Sequence, residues 1–241
     1  MRVRGSGKLP TTGSEPLFTE KFYGTPTGIA SYNCYAYALN RHKGVVGHKL
    51  QPGELVQQSS NHVSTSCPFL NRRVMDDNRR RGIQMIDPNK RCPAGTYKIM
   101  AVQSTNQPDF HFFRQNGNMI YRMRPGDTLK TVARDFKVPL SAIASPVPKP
   151  APGDLVFVKD TGMWSHKRGL STGPLLRDAR RRPITDPRKS NFNYGDLNYN
   201  RFCGAMCIRA LGTNATPTEV KQLKCLLRRR ARINQLDTRR A

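Results

Sequence analysis

Acidic side chains are scarce: 16 Asp and Glu face 41 Lys and Arg across 241 residues, leaving a formal net charge of +25. Long apolar runs are missing too. No stretch approaches the roughly 20 apolar residues that a membrane-crossing helix requires. The opening Met1-Arg2-Val3-Arg4-Gly5-Ser6-Gly7-Lys8-Leu9-Pro10 carries positive charge without the apolar core of a secretory signal. Synthesis in the cytosol is therefore expected, with reduced thiols. The six cysteines (Cys34, Cys67, Cys92, Cys203, Cys207, Cys225) are too few for a disulfide scaffold in a chain of this length. They do not make a zinc site either, because no second Cys or His pair at ligand spacing accompanies Cys203 and Cys207. No metal or other cofactor is expected, and Cys203 and Cys207 are expected to face a core from one strand. Without zinc spacing, an aromatic RNA-binding motif or a recognition helix, sequence-specific reading of nucleic acid is disfavoured.

What is present is a globular composition, 37% hydrophobic and 24% charged, in a chain long enough for one large domain or two small ones with a real core. The arginines come in dispersed clusters: Arg72-Arg73, Arg79-Arg80-Arg81, Arg180-Arg181-Arg182 and Arg228-Arg229-Arg230. Such dispersal makes the positive field a property of the folded body. It points to a polyanionic partner, whether nucleic acid, an anionic membrane or an acidic polymer.

Residues 1–20 are rich in Gly, Pro, Ser and Thr without apolar periodicity, which predicts a flexible basic arm. Ser31 can cap a helix whose first turn holds Tyr32, Asn33 and Cys34, with Gly44 placed to end it. The alternation of Tyr35, Tyr37 and Leu39 fits a strand as well. Residues 44–95 predict long connections with one short helix near Val74 to Arg81. Strand signals then gather at Tyr97–Gln103, Phe110–Gln115, Met119–Met123, Leu155–Val158, Met163–His166 and Gly204–Ala210. An α+β fold with mostly antiparallel sheets follows. Thr216-Pro217-Thr218-Glu219 is a capping box that opens a basic C-terminal helix over 213–241.

Within 119–158, a strand ends at the turn Pro125-Gly126-Asp127-Thr128-Leu129. A helix follows with Leu129, Val132, Ala133 and Phe136 on one side, then a second short helix over Leu140–Ala144 and a returning strand Leu155-Val156-Phe157-Val158. This strand-helix-helix-strand unit resembles a LysM module over about 40 residues. The resemblance implies binding of N-acetylglucosamine-containing glycans such as peptidoglycan, through Gly126, Asp127, Thr128 and Leu129. The Asn usual after the second helix is absent, Ser145 standing near that place, and the loop Pro146-Val147-Pro148-Lys149-Pro150-Ala151-Pro152 is unusually rich in proline. A unit whose ends emerge side by side can sit in a surface loop of its host, so the host domain is expected to be discontinuous, 21–118 with 159–212.

Cys34 sits in Ser31-Tyr32-Asn33-Cys34-Tyr35-Ala36-Tyr37-Ala38-Leu39, with His111 in Asp109-Phe110-His111-Phe112-Phe113-Arg114 and His166 in Met163-Trp164-Ser165-His166-Lys167. A thiol nucleophile needs a base to take its proton and a third polar group to orient that base. Cys34, His111 and His166 can fill these roles, and Asp109 and Asp186 compete for the third, although Asp186 before Pro187 is better placed to start a turn. With these residues the chain resembles the papain-like cysteine peptidase and amidase superfamily, in particular its compact cell-wall endopeptidase branch, over about 32–42, 97–123 and 155–210. The resemblance implies a catalytic helix packed on an antiparallel sheet, a thioester intermediate, and an oxyanion held by the Cys34 amide with Asn33 or Tyr23. Two functions are therefore expected to compete. One is a thiol hydrolase of cell-wall or surface amide bonds targeted by the glycan-binding insert. The other is a non-enzymatic basic virion protein of a large DNA virus, reusing the fold to bind membrane, genome or neighbouring shell proteins.

Overall fold

Strands dominate the middle of the chain and assemble into two antiparallel sheets, giving an α+β fold with few helices. The structure, a computed structural model, describes residues 7–58 and 66–211. The helices are α1 (Pro26–Ser31), α2 (Cys34–Ala38), α3 (Cys67–Asp77) and α4 (Leu129–Asp135). The strands are β1 (Gln84–Ile86), β2 (Thr96–Gln103), β3 (Phe110–Gln115), β4 (Met119–Arg122), β5 (Ile143–Ala144), β6 (Leu155–Val158), β7 (Trp164–Lys167), β8 (Pro174–Leu175) and β9 (Arg201–Arg209). Six of them form a sheet in the order β1-β9-β2-β3-β7-β8, and the other three a smaller sheet ordered β4-β6-β5. No helix among the described residues is long and apolar enough to cross a membrane.

Side-chain alternation divides the large sheet into two faces. One carries Ile99, Ala101, Phe110, Phe112, Met206 and Ile208 and is covered by α2 and α3 through Cys34, Tyr35, Leu39, Leu70 and Val74. The other carries Met100, Val102, Phe113, Trp164 and Ala205 under the irregular segment that supplies Ile184, Phe192 and Tyr199. Both faces are covered, which explains why β3 is buried along its whole length.

The single helix expected from Ser31 to Gly44 is two helices. Thr25 caps α1 by accepting from Gly28 N, and Ser31 is the last residue of α1 instead of a cap. The cap of α2 is Asn33, whose Oδ1 accepts from Ala36 N at 3.1 Å. Asn40 ends α2 in the left-handed region at φ 53°. There its N–H reaches Tyr37 O at 3.0 Å and the Arg41 N–H reaches Ala36 O at 3.1 Å, the paired closing bonds of a Schellman end.

Two further expectations are corrected. The residues of the presumed arm that the structure describes, 7–20, are packed against the body: Phe18 is fully buried and bridges Met119, and Gln115 Nε2 donates to Leu9 O at 2.8 Å. A few apolar residues without periodicity suffice when they plug ready-made hollows. The expected second helix at Leu140–Ala144 is one 3-10 turn, Leu140–Ala142, after which Ile143 and Ala144 pair with Val158 and Phe157. The C-terminal helix expected over 213–241, its capping box and the Arg228–Arg230 cluster lie outside the described residues.

The cysteines overturn the expectation of reduced thiols. Cys67 bonds to Cys203 and Cys92 to Cys207, across separations of 136 and 115 residues. Nor do Cys203 and Cys207 share a face. Ala101 pairs with Gly204 and Val102 with Phe202, so Cys203 is an extra residue in a β-bulge. The bulge turns Cys203 toward Cys67 at the start of α3, while Cys207 points the other way to the 87–95 loop. Gly204 sits there at φ 155°, and a Cβ on it would meet the Met85 methyl at 2.5 Å.

Candidate active site

His111 and His166 come from neighbouring strands. Phe113 of β3 stands opposite His166 of β7, and His111, two residues before Phe113, lies on the same face as a diagonal neighbour. His111 Nε2 and His166 Nδ1 are 2.8 Å apart, and His166 Nε2 lies 3.1 Å from Arg177 O. The carbonyl can only accept, so His166 Nε2 carries a proton and Nδ1 presents its lone pair. His111 Nε2 then donates, which leaves His111 Nδ1 as the unprotonated nitrogen. Burial keeps both rings neutral: it lowers His166 to about 4, while His111 is held well below the ordinary imidazole value by burial, His166 and the Arg168 guanidinium.

Cys34, the first residue of α2, is the one unbridged cysteine among the described residues. It shares a cavity of about 370 Å³ with His111, Asp109, Arg168, Tyr194 and Tyr199. The cavity lies where β3 begins and β7 ends, so its wall includes both the α2 face and the histidine face of the sheet. Cys34 is 5% exposed, and its sulfur contacts Phe110 O at 3.9 Å. The histidines are thus in direct contact with each other, whereas Cys34 packs on the opposite face of the sheet, sharing its cavity with His111 and not with His166, and its sulfur bonds to a main-chain oxygen. Burial, with the Asp109 carboxylate adding to it, pushes the thiol up to about 12, against the opposing amides of Phe112 and Tyr35 and the Lys167 ammonium. Thiol and imidazoles are both held neutral, the thiol by burial against Phe110 O and the rings by burial on the other face of the sheet.

Of the two oxyanion candidates, Tyr23 is misplaced. It is fully buried, donates to Arg41 O at 2.7 Å and packs edge-on against Tyr32 and Tyr37, away from the cavity. Asn33 lines the cavity, but its side chain is spent on the α2 cap and on a 2.8 Å bond from Nδ2 to Leu50 O. The Cys34 N–H remains, in a first turn whose amides have no acceptor within the helix. Asp109 receives Tyr199 Oη at 2.6 Å, and Asp186 caps a 3-10 turn; His166 is the group that touches His111.

In the 119–158 unit, Asp127 Oδ2 accepts from Tyr121 Oη and Arg124 N, both at 2.7 Å. Thr128 caps α4, Leu129 packs into the local core, and Gly126 turns the chain at φ 83°. The polar groups of these four glycan-binding candidates therefore build the turn. Among the described residues, no cluster of three His, Cys, Asp or Glu side chains is placed to hold a metal ion.

Three participants had no sequence signal. The Arg177 carbonyl that sets both tautomers is backbone. Lys167, fully buried, donates from Nζ to Ile29 O and Gly169 O at 2.8 Å each, and burial lowers it to about 8. Buried Arg114 secures the far end of α2 through Asn40 Oδ1 at 2.7 Å and the Tyr37 ring at 4.0 Å. No family model, curated protein or solved structure matches the chain.

Proposed function

We propose that the protein is a thiol hydrolase, papain-like in its arrangement, that cleaves amide bonds of a cell-wall or surface polymer through Cys34, His111 and His166. The observation that carries this is the Arg177 O–His166–His111 relay, which leaves Nδ1 of a cavity-lining imidazole bare to receive a proton. With a neutral resting pair, the proton moves as the bond forms. The Cys34 sulfur turns from Phe110 O, gives its proton to His111 Nδ1 and attacks the amide carbonyl. His111 then protonates the leaving amine, and a thioester remains. Water, deprotonated by His111, splits the thioester into a carboxylic acid and the restored thiol. The 119–158 unit is a LysM-like insert that holds N-acetylglucosamine-containing glycan beside this site, and the basic body adheres to polyanions.

Purified peptidoglycan and short peptide amides test the proposal, with new free amines as the readout. Cys34→Ala should abolish release, and His166→Ala should cut it by about 10²–10⁴. Undiminished release by Cys34→Ala excludes the thiol mechanism. A second function is favoured by the sulfur's bond to Phe110 O and its raised pKa, a non-enzymatic basic building block of a virion. It predicts salt-sensitive polyanion binding that survives Cys34→Ala, with no amine released by either protein.

A further inference from the structure

Leaving α2, the chain runs through Arg41-His42-Lys43-Gly44-Val45-Val46-Gly47-His48-Lys49, of which residues 42–49 are all exposed. Val45 and Val46, at 67% and 65%, are the most exposed large aliphatic side chains among the described residues. They are held out on a hydrogen-bonded turn. The His48 N–H reaches Val45 O at 3.1 Å, and the Gly47 N–H ties the turn to α1 through Ala30 O at 2.8 Å. Gly47 takes the φ of 79° that closes the turn. Gly44 crosses so close to α1 that a Cβ there would lie 2.4 Å from Ser31 O. Two β-branched side chains are therefore kept in water at a built, convex apex.

Along the chain, the charge around them is of one sign. No Asp or Glu occurs between Glu20 and Glu54, an interval that holds Lys21, Arg41, Lys43 and Lys49. Glu54 itself is engaged by His48 at 2.5 Å. An apolar tip in a cationic collar matches the layering of an anionic bilayer, with phosphate and carboxylate headgroups above an apolar interior. Nucleic acid would satisfy the cations but leave both valines in water. A protein partner would need a hollow shaped to this apex, whereas lipid yields to any convex shape.

We propose that residues 41–49 form a lipid-docking loop, in which Val45 and Val46 enter the headgroup region of an anionic bilayer while Arg41, Lys43 and Lys49 meet its phosphates and carboxylates. Lys49 also lines the Cys34 cavity, so docking brings the cavity mouth to the membrane surface. None of this depends on whether Cys34 is catalytic.

The test is flotation of the full chain with vesicles of phosphatidylcholine containing roughly 30 mol% phosphatidylserine, against phosphatidylcholine alone. Binding should require the anionic lipid. V45S/V46S should weaken it about tenfold or more, and Lys43→Gln about fivefold. A Val46→Trp variant should show a blue-shifted emission that brominated lipid quenches. The buried Trp164 and the circular dichroism spectrum verify that each variant is folded. Binding by V45S/V46S equal to that of the parent, with complete release by salt, overturns the proposal in favour of plain charge adsorption. Failure to float, or loop variants that weaken duplex DNA binding and leave vesicle binding unchanged, overturns it as well.

Discussion

Reducing the two disulfides should take away most of the protein's stability. Cys67–Cys203 closes a loop of 136 residues, which in the chain-entropy treatment disfavours the unfolded state by about 5 kcal/mol at 25 °C. Cys92–Cys207 closes an overlapping loop. With the first bond in place, the shortest path between Cys92 and Cys207 passes through it over about 29 residues, so the second bond adds roughly 3.5 kcal/mol. A combined loss of about 8.5 kcal/mol lies within the whole folding free energy of an ordinary domain, about 5–15 kcal/mol. The assay is urea unfolding with and without a phosphine reductant, followed by emission of Trp164, the one tryptophan, which is fully buried. The urea midpoint should fall sharply or the protein should already be unfolded in buffer, and thiol titration in denaturant should rise by four on reduction. An unmoved midpoint after release of four thiols would refute the entropic reasoning. Six titratable thiols before reduction would refute the pairing itself.

Acid should destabilise the fold through the histidine pair. His166 is lowered to about 4 in the fold against about 6.5 unfolded, so its contribution is intact above pH 6.5 and is lost as pH falls toward 4, amounting to about 3 kcal/mol. Urea midpoints at intervals across that range should fall with pH, and His166→Gln should flatten the fall; an equal slope in both proteins would contradict it. If the hydrolase proposal holds, the acidic limb of kcat/KM should lie below pH 6.5, because burial, His166 and Arg168 all disfavour a charged His111, and a limb at or above 7 would count against a neutral base. Arg114→Ala should cost about 3 kcal/mol by emptying a buried site and removing the 2.7 Å bond to Asn40 Oδ1 and the packing on the Tyr37 ring. Thermal unfolding within a degree of the parent would show that this guanidinium does not secure α2.

Much of both sheets was legible, since β3 of the large sheet and β6 of the small one run over the residues their apolar content marks out, and β2 begins one residue early. These are runs of alternating or continuous apolar residues bounded by turns, where local pattern and burial agree. The break between α1 and α2 was missed because Ser31 and Asn33 are both good caps, and Asn40 competes with Gly44 for the left-handed end; tertiary contacts decided. The disulfides were hidden by a bulge that sequence spacing cannot register. At the site, the two histidines were readable from their strands. Asn33 lines the cavity as the cap of α2 with its amide already bonded, and Tyr23 belongs to a separate buried tyrosine cluster, a placement that no local pattern encodes.

Leu176 lies in the hydrophobic cluster of the 119–158 unit with Val132 and Phe136, and the next guanidinium, that of Arg177, pairs with Asp135 of α4 at 3.2 Å. The residue whose main-chain oxygen fixes the imidazole tautomers is thus held, through its own side chain and that of Leu176, by the unit that precedes it in the chain. Excising residues 119–158 would strip that clamp, and any segment put in its place must bring its own equivalents of Val132, Asp135 and Phe136. The 119–158 unit and the histidine pair therefore stand or fall together.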